Sequence, residues 1–152
     1  VTRGARSSPI AARKITVFCP IAAETLAALA RGELEALAHD ASAGPLLAFL
    51  ESCPELGRLG AYSGVCEISL GLEAFTPLAA ARPTQGLAGE RSHSATAVLT
   101  TYAPASIPAT RLEAILSELV RLHPWEVPVI EVSPVDLIAV PAAASGPPGA
   151  PS

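Results

Sequence analysis

The sequence predicts an α+β sandwich, an antiparallel sheet with its helices gathered on one face. Three observations lead there. From Pro108 to Leu122, Leu112, Ile115, Leu116, Leu119 and Val120 recur at helical spacing, with Glu113, Ser117, Glu118 and Arg121 opposite them. The runs "KITVFCP" (14–20) and "SATAVLTTYAP" (94–104) are rich in β-branched and aromatic residues, as strands are. The elements then fall in the order strand, helix, two strands, helix, strand, which is a split βαβ arrangement.

Taken in order, the first strand at 14–20 is stopped by Pro20. A helix is expected over 24–39, where Leu26, Leu29, Leu34 and Leu37 lie near helical spacing, weakened by Gly32. A second, shorter helix is expected over 44–54, with Pro45 tolerated in its first turn and Pro54 beyond its end. Glycines punctuate 56–77, so 61–70 and 72–76 read as extended runs with a turn or bulge at Gly71. Residues 78–94 form a polar loop too long for a plain hairpin connection, which points to a lid, a crossing or an interface element. After the strand at 94–104 and the helix at 108–122, Pro124 disfavours helical backbone at His123 and ends the helix there. "VPVIEV" and "VDLIAV" supply a last strand and an edge extension. The fold class is therefore ferredoxin-like (βαββαβ), decorated by an extra short helix and a C-terminal edge strand.

The chain has 152 residues, room for one domain. Residues 1–12 read as a disordered leader, 13–140 as the folded domain and 141–152 as a disordered tail rich in Pro, Gly, Ala and Ser. The opening "VTRGARSSPIAARK" (1–14) carries Arg3, Arg6, Arg13 and Lys14 before the first acid, Glu24, a faint likeness to a transit peptide; a plain leader and a cytoplasmic location are expected instead. Net charge is −4 and the ten basic residues are scattered, so no nucleic-acid partner is expected. No apolar run is long enough to span a bilayer, and no membrane partner is expected. Cys19, Cys53 and Cys66 are widely spaced, without a CxxC pair, which suits a reducing compartment.

Four segments carry a resemblance: "GRLGAYSGVCEI" (57–68), "FTPL" (75–78), "ARPTQG" (81–86) and "LHPWEVPVIEV" (122–132). In that order they resemble the CutA/PII-like domain inserted in the YqfO/YbgI family of dinuclear-metal, hexameric proteins. "FCP" (18–20) and "HPWEVP" (123–128) are also similar to the divalent-cation tolerance proteins called CutA. The likeness covers residues 14–135. It departs at Trp125, where the family pattern has tyrosine, and at Ala61, where it has asparagine. The histidine-rich dinuclear-metal body is missing, since this sequence holds three histidines. The resemblance implies the inserted module standing alone: a homotrimer with sheet edges paired between subunits and a divalent cation or small anionic metabolite in the subunit clefts. The other function it implies is an accessory subunit of a dinuclear-metal hydrolase.

Candidate ligand-binding residues are Gly57, Gly60, Tyr62, His123, Trp125 and Glu126. The glycines permit close backbone approach and can cradle an anion. Cys19, His123 and Glu126 form a candidate donor set for a divalent metal ion. Against this, His123 can cap the carbonyls of the preceding helix and Glu126 can pair with an arginine. Trp125 is more often a packing or interface anchor than a substrate platform. The first and last strands are not expected to be neighbours, so Cys19 and His123 would meet across a subunit boundary or at a shared sheet end. No orienting third group or oxyanion donor accompanies a Cys19–His123 nucleophilic pair, and no catalytic residue is assigned. The expected function is a non-enzymatic binding or sensing module.

Overall fold

A computed structural model describes residues 8–139. Within them lie β1 (Ser8–Pro20), α1 (Ala23–Ala30), α2 (Ala36–His39), α3 (Ala43–Ser52), β2 (Glu67–Phe75), β3 (Ser92–Pro104), α4 (Ala109–Leu122) and β4 (Val129–Ala139). The four strands form one antiparallel sheet in the order β2-β3-β1-β4. Alternation along the two central strands divides the sheet into unlike faces. Ile15, Val17 and Cys19 of β1, with Ala97 and Leu99 of β3, are fully buried and pack in one cluster with Leu46 and Leu50 of α3 and Ile115 and Leu119 of α4. Each such Leu or Ile contributes on the order of 2 kcal/mol of burial. The opposite face carries Thr16, Phe18, Thr96 and Val98 and, among the described residues, has no helix over it. This is the α+β ferredoxin-like arrangement expected, with the α4 amphipathic pattern realised almost residue for residue.

Several boundaries differ, each for a physical reason. β1 begins at Ser8, because residues 8–12, assigned above to the leader, find partners in β4, from Ser8↔Ala139 to Ala12↔Val135. The helix expected over 24–39 is two helices: Gly32 takes φ +85, a C-terminal cap conformation that ends α1, and the chain restarts as α2. β2 passes straight through Gly71, which pairs with Thr96, so that glycine is neither turn nor bulge. Residues 61–66 are not strand; Leu59 and Tyr62 exchange backbone hydrogen bonds of 3.0 Å in a tight turn. β4 is one continuous strand that contains Pro134, tolerated because an edge strand needs only one row of N–H donors. β1 and β4 are direct neighbours, contrary to expectation, since the crossover through α4 returns β4 to the free side of β1. The expected tail at 141–152 lies outside the described residues.

Two local constraints hold the helical layer to the sheet. Asp40, buried between α2 and α3, accepts hydrogen bonds from the Thr25 hydroxyl (2.6 Å) and from the N–H groups of Ala22 (2.9 Å), Ser42 (2.9 Å) and Ala43 (3.0 Å). One carboxylate thus ties the start of α1 to the start of α3, where helix dipoles also favour negative charge. Burial, the largest single influence, pushes its pKa up, but the Thr25 hydroxyl and the three N–H groups together outweigh it and hold the carboxyl below its ordinary value. Gly57 has φ +63, and a Cβ there would lie 2.4 Å from the main-chain N and O of Val65. Its own N–H donates to the Tyr102 carbonyl at 2.8 Å, anchoring the turn to β3.

Asp40→Ala is expected to lower unfolding free energy by about 2–3 kcal/mol, because buried donors lose a charged acceptor; chemical denaturation measures it. A carboxyl with a depressed folded pKa stabilises the fold above its unfolded value of about 3.9. That contribution disappears as pH falls through the lower folded value, so the stability gap between wild type and Asp40→Asn should narrow below about pH 4. Gly57→Ala should cost at least about 1–3 kcal/mol from left-handed backbone alone, and more with the Val65 clash.

Candidate functional site

Pro124 stops α4, and the chain then turns through His123 to Val127 before entering β4. His123 is only 7% exposed and points inward. Its Nδ1 accepts the Trp125 N–H at 3.1 Å, and its Nε2 lies 2.6 Å from the Phe18 carbonyl of β1. One neutral tautomer satisfies both contacts, with Nε2–H donating to Phe18 and the Nδ1 lone pair accepting from Trp125. Burial holds the ring's pKa below the usual histidine range, against a weaker opposing pull from the Phe18 carbonyl. The ring also leans on Trp125, with centroids 5.3 Å apart and planes at 53°.

The long loop between β2 and β3 folds onto this turn. The Thr84 hydroxyl donates to the Pro124 carbonyl (2.8 Å), and the Arg82 main-chain N–H donates to Glu126 Oε2 (2.8 Å). Gly89 N–H closes the loop on the Pro77 carbonyl at 2.8 Å. Between loop and turn lies a cleft of about 560 Å³, whose wall includes Phe75, Leu78, Pro83, Trp125, Val127 and Val129. Among the described residues its charged lining consists of Glu73 and Glu126, and no Lys, Arg or His side chain lines it. Strand register places Glu73 opposite Ser94, Phe75 opposite Ser92 and Val129 opposite Phe18, so all three face the helix-free side of the sheet. A smaller hollow of about 150 Å³ shares Trp125, Thr84 and Gln85 with it and reaches Asp40.

The six expected ligand-binding residues divide. Trp125 and Glu126 line the cleft, and His123 stands behind Trp125 as its support. Gly57, Gly60 and Tyr62 do not line it: Gly57 is bonded to Tyr102, towards the other end of β3, and the Tyr62 side chain is 75% exposed. A separate hollow of about 490 Å³ near them is lined by Arg58, Ser63 and Gly64 but by none of the three. The main-chain N–H of His123 caps α4 on the Leu119 (3.0 Å) and Val120 (3.3 Å) carbonyls while its ring meets a strand carbonyl, and Glu126 meets the main chain of an arginine rather than its guanidinium.

The expected metal donors do not fit a metal ion. Cys19 is fully buried on the core side of β1; its Sγ–H points to the Ala97 carbonyl at 3.5 Å, and burial pushes its thiol up to about 12. Both His123 nitrogens are committed within the fold. Among the described residues no group of three His, Cys, Asp or Glu side chains is placed to hold a metal ion. The same commitments remove Cys19 and His123 as a nucleophile–base pair. Among the described residues, no helix is long and apolar enough to cross a membrane.

Glu73, Phe75, Leu78, Pro83, Val127 and Val129 escaped the sequence reading as site residues. The available signal was that "FTPL", "ARPTQG" and "HPWEVP" are proline-stiffened segments flanking one long loop and one turn; their convergence needed the sheet to be assembled.

No family model and no curated protein matches this chain. Among solved structures it is similar to a Bacillus cereus protein related to NIF3, with a TM-score of 0.54 and 18% sequence identity over 91% of this chain. The chain spans 29% of that protein's length. The likeness is one of fold, and it is to a relative of the NIF3, or YqfO/YbgI, family that the four sequence segments resemble.

Proposed function

We propose that this chain is a non-enzymatic binding module that self-associates through its sheet edges and holds a small molecule in the cleft around Trp125. The observation that carries this reading is the convergence of the three proline-stiffened segments on one cavity of about 560 Å³, within the range of small-molecule sites. Its walls are pinned by hydrogen bonds that Thr84 and Arg82 donate and by the one that His123 accepts from Trp125, so the cleft exists without a ligand to form it. Self-association is supported by the edge strands: Ile68, Leu70 and Leu72 of β2 and Val132 and Ile138 of β4 are exposed, with Leu72 76% and Ile138 70% accessible. Apolar edges of this kind are normally covered. The resemblance described above favours a trimer.

A second reading is an accessory module working beside a dinuclear-metal hydrolase. It is favoured by the fold likeness to a NIF3-related protein of which this chain spans 29%. It predicts that the edges are covered by another polypeptide rather than by a second copy.

Light scattering at micromolar concentration separates the two: a homo-oligomer dissociated by Leu70→Glu/Leu72→Glu is expected, whereas a wild-type monomer overturns self-association and favours the accessory reading. Trp125 is the chain's single tryptophan, so its emission reports on the cleft directly. Titration with phenylethylamine, 2-phenylethanol and phenylacetate should give a saturable change with at least one, and a ligand held at a hundred times its Kd should stabilise the fold by about 2.7 kcal/mol. No response to any of the three would overturn the cleft as a binding site. Zinc titration is expected to give no stoichiometric complex dependent on His123; one abolished in His123→Ala/Cys19→Ala would restore the metal reading.

A further inference from the structure

The chemistry of the cleft wall goes beyond the bare assignment of a binding site. Resting on that assignment, we propose that the ligand is an amphipathic organic cation: an ammonium or guanidinium group carried on an apolar, ring-sized body. The charge pattern carries this furthest. Two carboxylates, Glu73 from β2 and Glu126 from the turn, line the cavity, and among the described residues no basic side chain lines it to neutralise them. Glu126 spends one oxygen, Oε2, on the Arg82 main-chain N–H, which fixes the carboxylate's position. Glu73 stands one alternation from Phe75 on the same strand face, so its carboxylate and the ring share a wall.

The aromatic content completes the pattern. The faces of Trp125 and Phe75 attract cations through their quadrupoles, most strongly for tryptophan. Trp125 is clamped from behind by His123, which itself is neutral and committed to Phe18, so the turn adds no positive charge to the wall. An inorganic cation is a poor match: two carboxylates on largely apolar walls fall short of the six or more oxygens that calcium or magnesium take, and no three-donor group is assembled among the described residues. An anionic metabolite, the other class expected from sequence, would bring its charge beside Glu73 and Glu126 with no cation to meet it. A neutral apolar molecule would fill the walls but offer no charge to Glu73 or to the second oxygen of Glu126.

The test uses the full chain and Trp125 emission with three probes that share a phenylethyl-type body and differ in charge: phenylethylamine (cationic at pH 7), 2-phenylethanol and phenylacetate. The expected order is cation tightest, alcohol at least tenfold weaker, anion weakest. Glu73→Gln/Glu126→Gln should weaken the amine at least tenfold without weakening the alcohol, so retained alcohol binding certifies the folded cleft. Raising the salt concentration should weaken the amine and not the alcohol. Equal binding of all three probes, or tightest binding of phenylacetate, overturns the cationic assignment while the cleft stands as a site. Absence of binding by every probe overturns both.

Discussion

The buried histidine at the end of α4 is the contact on which the site depends. Pro124 ends the helix at His123 and turns the ring inward, where it joins two otherwise separate pieces of chain. On one side it donates to the Phe18 carbonyl of β1; on the other it receives the Trp125 N–H. Those two bonds fix where the chain leaves the helical layer and where it enters β4, directly opposite Phe18. They also set Trp125 against the loop from β2 to β3, which then closes on the turn through Thr84 and Arg82. The ring does this only while neutral, because a second proton would leave Nδ1 with nothing to accept from Trp125. Burial, which disfavours the charged form, therefore works in the same direction as the hydrogen-bond geometry.

The cleft is a product of opposed demands on the two sheet faces. Beneath the helices, apolar alternation in β1 and β3 gives a buried hydrophobic core. The other face lacks helical cover, and the polar loop of 76–91 supplies partial cover at one end only. Where loop and turn meet, prolines hold the backbone apart while hydrogen bonds hold it in place, and an apolar hollow results. Asp40 plays a parallel role in the helical layer, satisfying donors at the starts of α1 and α3 so that α3 can lay Leu46 and Leu50 onto the sheet.

The likeness to a NIF3-related protein and the order of the sequence segments point to the same fold, and each has its own weight. The fold likeness covers nearly all of this chain at 18% identity, so it speaks of architecture. The sequence segments turn out to be joints: "HPWEVP" is a helix stop with an inward histidine, "ARPTQG" is the part of the loop that docks on it, and the turn at Gly57 is an anchor to β3. Segments of this kind are restricted in sequence because few residues meet their backbone demands, whatever the ligand. That explains how the motifs can identify a fold while leaving the cleft's chemistry open: Phe75 and Val129 lie within quoted segments without being singled out, and Glu73 lies outside them.

What the sequence by itself determined was local. The period of α4, the stop at Pro124, the β-branched strands and the α+β class all follow from propensities and turn chemistry within a few residues of one another. The break at Gly32 was legible as a weakness, though not as a true end of the helix. Only the tertiary structure decided that β1 and β4 are neighbours, that residues 8–12 complete a strand, and that Gly71 lies within one. Each of those depends on a partner strand far away in the chain, and period-2 patterns do not name their partners. The site was decided at the same level. The sequence offered His123, Glu126 and Cys19 as donors of the right chemical type, but alternation sent Cys19 into the core and hydrogen bonding used both histidine nitrogens. Trp125 and Glu126 were left facing the loop, where Phe75 and Glu73 arrive from an edge strand two strands away from β1.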